Sequence, residues 1–155
     1  MAPRSTITLN VNGTAHTLEV EHRETLLHVL RERLDLTGAK RACDRGECGA
    51  CAVLLDERPF NACQLLAVQV GARGVTTIEG LAARSDFGPI LKSMVASDGG
   101  QCGYCIPGMA VAAYSALQRH PEPNEWVLRW EMVGHICRCN AYERIVDSVL
   151  KAGGG

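Results

Sequence analysis

Eight cysteines constrain this 155-residue chain more than any other feature, because they fall into two sets with different spacings. The first set is Cys43-x4-Cys48-x2-Cys51-x11-Cys63, inside GAKRACDRGECGACAVLLDERPFNAC. The second is Cys102-x2-Cys105 and, 31 residues further on, Cys137-x-Cys139. An even count of this kind admits disulfides, zinc or iron–sulfur clusters. The N-terminus, MAPRSTITLNVNG, alternates like a strand and lacks the apolar core of a secretory signal. Read as a whole precursor, the chain is expected in the cytoplasm. A periplasmic location would need a trimmed signal or a partner that carries one. A reducing cytoplasm counts against a disulfide framework, and a bridge between Cys137 and Cys139, one residue apart, has poor geometry.

The first spacing is the plant-type arrangement for a [2Fe–2S] cluster, in which three thiolates sit on one tight loop and a fourth arrives from elsewhere. Gly46 and Gly49 would let that loop fold closely and turn amide N–H groups toward sulfur. Structural zinc takes C-x2–4-C knuckles in pairs, and this set has only one. The second set is less specific when taken alone, and zinc stays open there. Each of its pairs precedes a predicted helix, QCGYCIPGM before one and HICRCNAY before another. Helix N-termini would favour an anionic metal centre held by four thiolates.

Around the cysteines the period of the apolar pattern changes once. Ile7, Leu9 and Val11, the turn Asn12-Gly13, and Thr14 to Val20 predict a hairpin. Leu26, Leu27, Leu30 and Leu34 predict a helix over 23–34, stopped by Gly38. Residues 52–55, 64–70 and 75–78 are expected as strands. The segment GLAARSDFGP, 80–89, loses periodicity and is expected as a linker. Helices are expected over 90–96, 109–117, 125–133 (capped by Asn124) and 141–151. Aromatics are only 5% of the chain, so two small aliphatic cores near the lower size limit would gain from a metal centre each. A net charge of −1 with 21% charged residues gives no polyelectrolyte signal for nucleic acid or an anionic membrane. No apolar run approaches the roughly 18 residues of a membrane span.

Taken together, CDRGECGAC, QCGYCIPGM and CRCNAY resemble the small iron–sulfur subunit of the molybdenum hydroxylases, the superfamily of xanthine dehydrogenase, carbon monoxide dehydrogenase and aldehyde oxidoreductase. The resemblance runs from about Ile7 to Leu150. It implies an α+β chain: a β-grasp, plant-type ferredoxin domain (1–79), the linker (80–89) and a four-helix-bundle [2Fe–2S] domain (90–155). It implies two [2Fe–2S] clusters. Cys43, Cys48, Cys51 and Cys63 would hold the one near FAD; Cys102, Cys105, Cys137 and Cys139 would hold the one near a molybdopterin (cytosine dinucleotide). It puts Gln101 and Cys139 beside the pterin. Members this short work with a large molybdopterin-binding catalytic subunit and a medium FAD-binding subunit in a heterotrimer. The chain itself would then be the non-catalytic electron-transfer subunit of an oxidoreductase that hydroxylates an aldehyde, N-heteroaromatic or similar small substrate with water-derived oxygen.

Three departures accompany the resemblance: Asn140-Ala141 stands where CRCTGY is common, Ile106 where threonine is, and His135-Ile136 where GNLCRC is. Alanine at 141 predicts a negative φ there. His135 is assigned a plain structural role, since an iron ligand there would leave a spare cysteine. Trp126 and Trp130, four apart, are expected to pack in a core or a subunit contact. Lys40, Arg41 and Arg45 flank the first loop, either tuning it or forming an ordinary charged surface. The rival to the electron-transfer reading is a zinc-stabilised two-domain interaction module without a redox role.

Overall fold

The structure, a computed structural model, describes residues 2–154. Strands β1 (Arg4–Val11) and β2 (Thr14–Glu21) form the expected hairpin, with Val11 opposite Thr14. Asn12 and Gly13 both have positive φ, 52° and 79°, the signature of a type I′ turn. Thr25 caps α1 (Leu26–Glu32), its hydroxyl accepting from His28 N–H at 3.2 Å. Strands β3 (Ala52–Leu55), β4 (Arg58–Asn61) and β5 (Gly74–Thr76) complete a mixed sheet in the order β2-β1-β5-β3-β4, with β1 and β5 parallel.

Residues 64–70 are not the expected strand. They form two single turns of 3₁₀ helix, Ala62–Gln64 and Ala67–Gln69. Their backbone pairs with the approach to α1 instead of a sheet edge: Leu26 N–H donates to Leu65 C=O at 2.7 Å, and Ala67 N–H to Glu24 C=O at 2.9 Å. The strand β4 lies where the pattern gave no signal, since Pro59 disguises it; proline is tolerated there because β4 is an edge strand.

Six α-helices are described. Of the ten positions expected as a linker, some belong to α2 (Ile78–Ala82) and some to α3 (Gly88–Ala96), with Phe87 buried between them. Beyond lie α4 (Ile106–Arg119), α5 (Glu125–Glu131, capped by Asn124 Oδ1 accepting from Val127 N–H at 2.9 Å) and α6 (Tyr142–Ala152). Helix α4 begins three residues earlier than the apolar pattern suggests, because Pro107 fits the first turn of a helix, where its missing N–H costs nothing. No helix among the described residues is long and apolar enough to cross a membrane.

Two cores meet at one strand. Cys51, Val53 and Leu55 point into the core under α1, while Ala52 and Leu54 point into the helical core with Phe87, Met109 and Ile145. The period of two along a strand makes this possible, and all four β3 residues are buried. Burying Leu54 contributes about 1.5–3 kcal/mol, all of it in contact with the second unit. A polar clamp reinforces the contact at its edge. Arg84 makes two 2.8 Å bonds to the Glu57 carboxylate and donates at 3.0 Å to the Tyr114 hydroxyl, which itself donates to Asp86 at 2.9 Å.

Two outcomes follow from this packing. A Cβ on Gly108 would strike the backbone of Gly49 and Ala50, so Gly108→Ala is expected to cost about 1–3 kcal/mol in urea unfolding. The Arg84 hydrogen bonds hold the Glu57 carboxyl below its ordinary value of 4.5. A depressed carboxyl contributes stability that is complete above the unfolded value and is lost as pH falls through the folded one. Glu57→Gln should therefore lower stability at neutral pH and flatten the pH dependence of unfolding below pH 4.5; an unaltered acid limb would refute the assignment.

Candidate metal centres and the seam between them

The first thiol set is organised by the loop from Cys43 to Cys51. Lys40 N–H donates to Ala50 C=O at 2.9 Å, drawing the ends of the loop together. Gly46 (φ 83°) and Gly49 (φ 69°) occupy left-handed conformations, as the sequence suggested, and a Cβ on Gly46 would come 2.8 Å from Gln64 Cγ. Asn61 at the end of β4 donates to Gly46 C=O at 3.1 Å, which brings Cys63, two residues on, under the loop. The thiols then face one another in pairs, Cys43 with Cys48 and Cys51 with Cys63. Glu47 N–H points at Cys43 Sγ from 3.4 Å, and Gln64 Nε2 at Cys63 Sγ from 3.5 Å.

The second set has the same two-by-two form, Cys102 with Cys139 and Cys105 with Cys137. Cys105 caps α4, and the Cys137–Cys139 loop leads into α6, so both pairs do stand at helix starts. Ala141 N–H points at Cys137 Sγ from 3.4 Å, and Cys137 N–H donates to the Tyr142 hydroxyl at 2.7 Å. Ala141 has φ −85°; the left-handed residue is Asn140, at 58°. Gln101, exposed, donates to Cys139 C=O at 3.3 Å, so the two residues expected beside a pterin are neighbours at the outer edge of this set.

The two sets touch through backbone. Ile136 N–H donates to Cys48 C=O at 3.0 Å, joining the residue before Cys137 to a thiol-bearing residue of the first loop. The Tyr104 hydroxyl, between Cys102 and Cys105, donates to Arg41 C=O at 2.6 Å. His135 lies against Gly49, where an added Cβ would come 2.5 Å from the ring. Both its ring nitrogens are buried without a hydrogen-bond partner, and burial pushes its pKa down, keeping the ring neutral. The ring packs against the backbone of the first loop. The part played by Tyr104, His135 and Ile136 at the seam had no sequence signal beyond their closeness to cysteines.

The flanking charges have local partners: Arg45 pairs with Glu47 at 3.1 Å, and Lys40 donates to Thr37 C=O at 2.9 Å. Trp126 and Trp130 stack with centroids 6.1 Å apart, yet are 71% and 68% exposed, so they take no part in a core of this chain. The remaining expectation for them is a subunit contact.

All eight thiols are free. Burial pushes Cys51 and Cys105 up to about 12, whereas the backbone N–H of Arg45 helps bring Cys43 down to about 7. Each set thus joins an outer, more acidic thiol to an inner one that ionises only against a cation. In each set two pairs of thiols lie together, an arrangement that suits a core of two bridged irons with two thiolates on each.

Comparison with known proteins agrees with this division. Residues 9–70 match the family model for a 2Fe-2S iron-sulfur cluster binding domain, and residues 77–150 match that for a [2Fe-2S] binding domain. The chain is therefore a protein with two [2Fe–2S]-type domains in tandem. It is 40% identical to the aldehyde oxidoreductase iron-sulfur-binding subunit PaoA of Escherichia coli K12, over 96% of this chain and 71% of that protein. It is 37% identical to the nicotinate dehydrogenase small FeS subunit of Eubacterium barkeri, over 95% and 94% of the two chains. Quinoline 2-oxidoreductase from Pseudomonas putida 86 contains a chain that superposes with a TM-score of 0.91 at 35% identity, covering 97% of this chain and 93% of that one. The protein belongs to the small iron–sulfur subunits of the molybdenum hydroxylase family.

The thiol environments give a measurable order of reactivity. In metal-free protein at neutral pH, Cys43 should be alkylated before Cys51 and Cys105, as read by peptide mass spectrometry. Because ligand thiols must lose their protons on binding metal, iron–sulfur loading should improve as pH rises. Loading that improves toward acid pH would contradict the raised thiols.

Proposed function

We propose that this protein is the electron-transfer subunit of a molybdenum hydroxylase, with one [2Fe–2S] cluster on Cys43, Cys48, Cys51 and Cys63 and another on Cys102, Cys105, Cys137 and Cys139. Each cluster supplies a site that takes up and gives back one electron. The observation that carries the reading is the arrangement of eight thiols as two sets of paired pairs, joined by the hydrogen bond from Ile136 N–H to Cys48 C=O.

The chain's own residues act by holding and tuning. The outer edge of the second set, with Gln101 and Cys139, would face a molybdopterin in a large catalytic subunit, and the first loop would face FAD in a medium subunit. Glu47 N–H and Ala141 N–H direct positive dipole ends at sulfur, which stabilises added negative charge there. The exposed Trp126–Trp130 pair would lie in a subunit contact, since tryptophan is enriched in such surfaces. Substrate would be hydroxylated wholly on the partner, and this chain would make no bond to it.

The test is direct. The full chain should carry two clusters by iron and sulfide analysis and give two EPR signals after dithionite reduction. Cys48→Ser should remove one signal and spare the other; Cys139→Ser should damage the second centre and weaken binding of the large subunit. Colourless protein with two zinc ions and no sulfide would establish the zinc-stabilised module instead, and an intact second centre in Cys139→Ser would remove Cys139 from the ligands.

A further inference from the structure

The seam between the thiol sets is tied at two points and rests on a fulcrum. One tie is backbone to backbone, from Ile136 N–H to Cys48 C=O. The other is the Tyr104 hydroxyl donating 2.6 Å to Arg41 C=O, two residues before Cys43. The fulcrum is the close approach of Gly108 and the His135 ring to Gly49, where neither glycine has room for a Cβ. Each loop of the second set is thus attached to the first loop once: the Cys137–Cys139 loop through Ile136, and the Cys102–Cys105 loop through Tyr104. Packing on β3 and the Arg84 clamp hold the two units together at a distance from the thiols; the two ties fix how the loops themselves face one another.

Tyr104 is suited to this one contact. Gly103, at φ 78°, turns the chain so that the next side chain leaves the helical unit and reaches across to the other one. The ring is 47% exposed, so packing alone does not hold it, and its hydroxyl bond supplies the connection. The acceptor is a carbonyl, not a side chain, on a segment already anchored by the Lys40 N–H to Ala50 C=O bond at 2.9 Å. The phenol oxygen therefore joins a fixed point of the sheet unit to the middle of a C-x2-C loop.

We propose that Tyr104 is a positioning residue for electron exchange between the two clusters, setting their relative orientation through its bond to the Arg41 carbonyl. The inference rests on the electron-transfer reading above and adds a residue that ligates nothing. Electronic coupling and spin–spin coupling between two centres both depend on their separation and mutual orientation. A small pivot at the seam alters both without changing either centre's own ligands.

Tyr104→Phe removes one oxygen and keeps the ring. In the full chain loaded with iron and sulfide, this variant should retain two clusters and the g-values each shows when reduced alone. The spin–spin coupling of the doubly reduced variant should differ from that of the wild type, and electron redistribution between the clusters, followed by freeze-quench EPR, should slow. A merely structural role would lower the thermal midpoint and leave coupling and redistribution as in the wild type. That result, or loss of a cluster signal in the variant, would overturn the proposal for Tyr104. Wild-type protein lacking one of its clusters would overturn the functional reading itself, so the two failures are distinguishable.

Discussion

The contact of the Gly49–Ala50 backbone with Gly108, closed by the hydrogen bond from Ile136 to Cys48, is the constraint on which the rest of the molecule depends. Neither thiol set has much regular structure of its own. The first lies on a loop with left-handed residues at Asp44, Gly46 and Gly49, and the second on two short turns before helices. Loops of this kind hold a fixed shape only when something rigid presses on them. Here each presses on the other, with β3 directly behind. Because β3 is buried on both faces, a shift of one unit against the other would expose Leu54 or open the helical core around Phe87.

The same closeness shapes the chemistry of the thiols. Cys51 is buried and Cys105 half-buried, and at both burial disfavours a lone thiolate. A cationic core changes that balance, so binding metal and completing the fold are linked steps. The outer thiols differ: Cys43 and Cys102 are brought down by backbone N–H groups, and both stand nearer the surface. A gradient from exposed, anion-stabilising sulfur to buried sulfur therefore runs through each set.

Much of this was legible in the chain. A thiol spacing of x4 and x2 on a glycine-bearing loop is read directly, because local geometry alone dictates it. The hairpin at Asn12-Gly13 and the cap at Asn124 are likewise properties of a few adjacent residues. Residues 64–70 misled for an identifiable reason: Leu65, Ala67 and Val70 are buried as a strand's would be, but their backbone partners lie on the approach to α1. Apolar pattern reports burial and is silent about which backbone the segment pairs with. Strand β4 was hidden by Pro59, and α2 by Gly80 within it. Trp126 and Trp130 had the spacing of a packed face, yet tertiary folding left that face outward.

By itself the sequence determined the spacing of the eight thiols, the turns that make each loop possible and the change from sheet to helix along the chain. These depend on spacing and on backbone conformations that particular residues permit. Only the tertiary structure decided that the two sets would share one seam, that Tyr104 and Ile136 would tie it, and that His135 would be sealed neutral against Gly49. Those contacts join residues more than 60 positions apart in the case of Tyr104 and Arg41. No local preference encodes such a pairing; it exists because β3 has two buried faces and the units must meet across it.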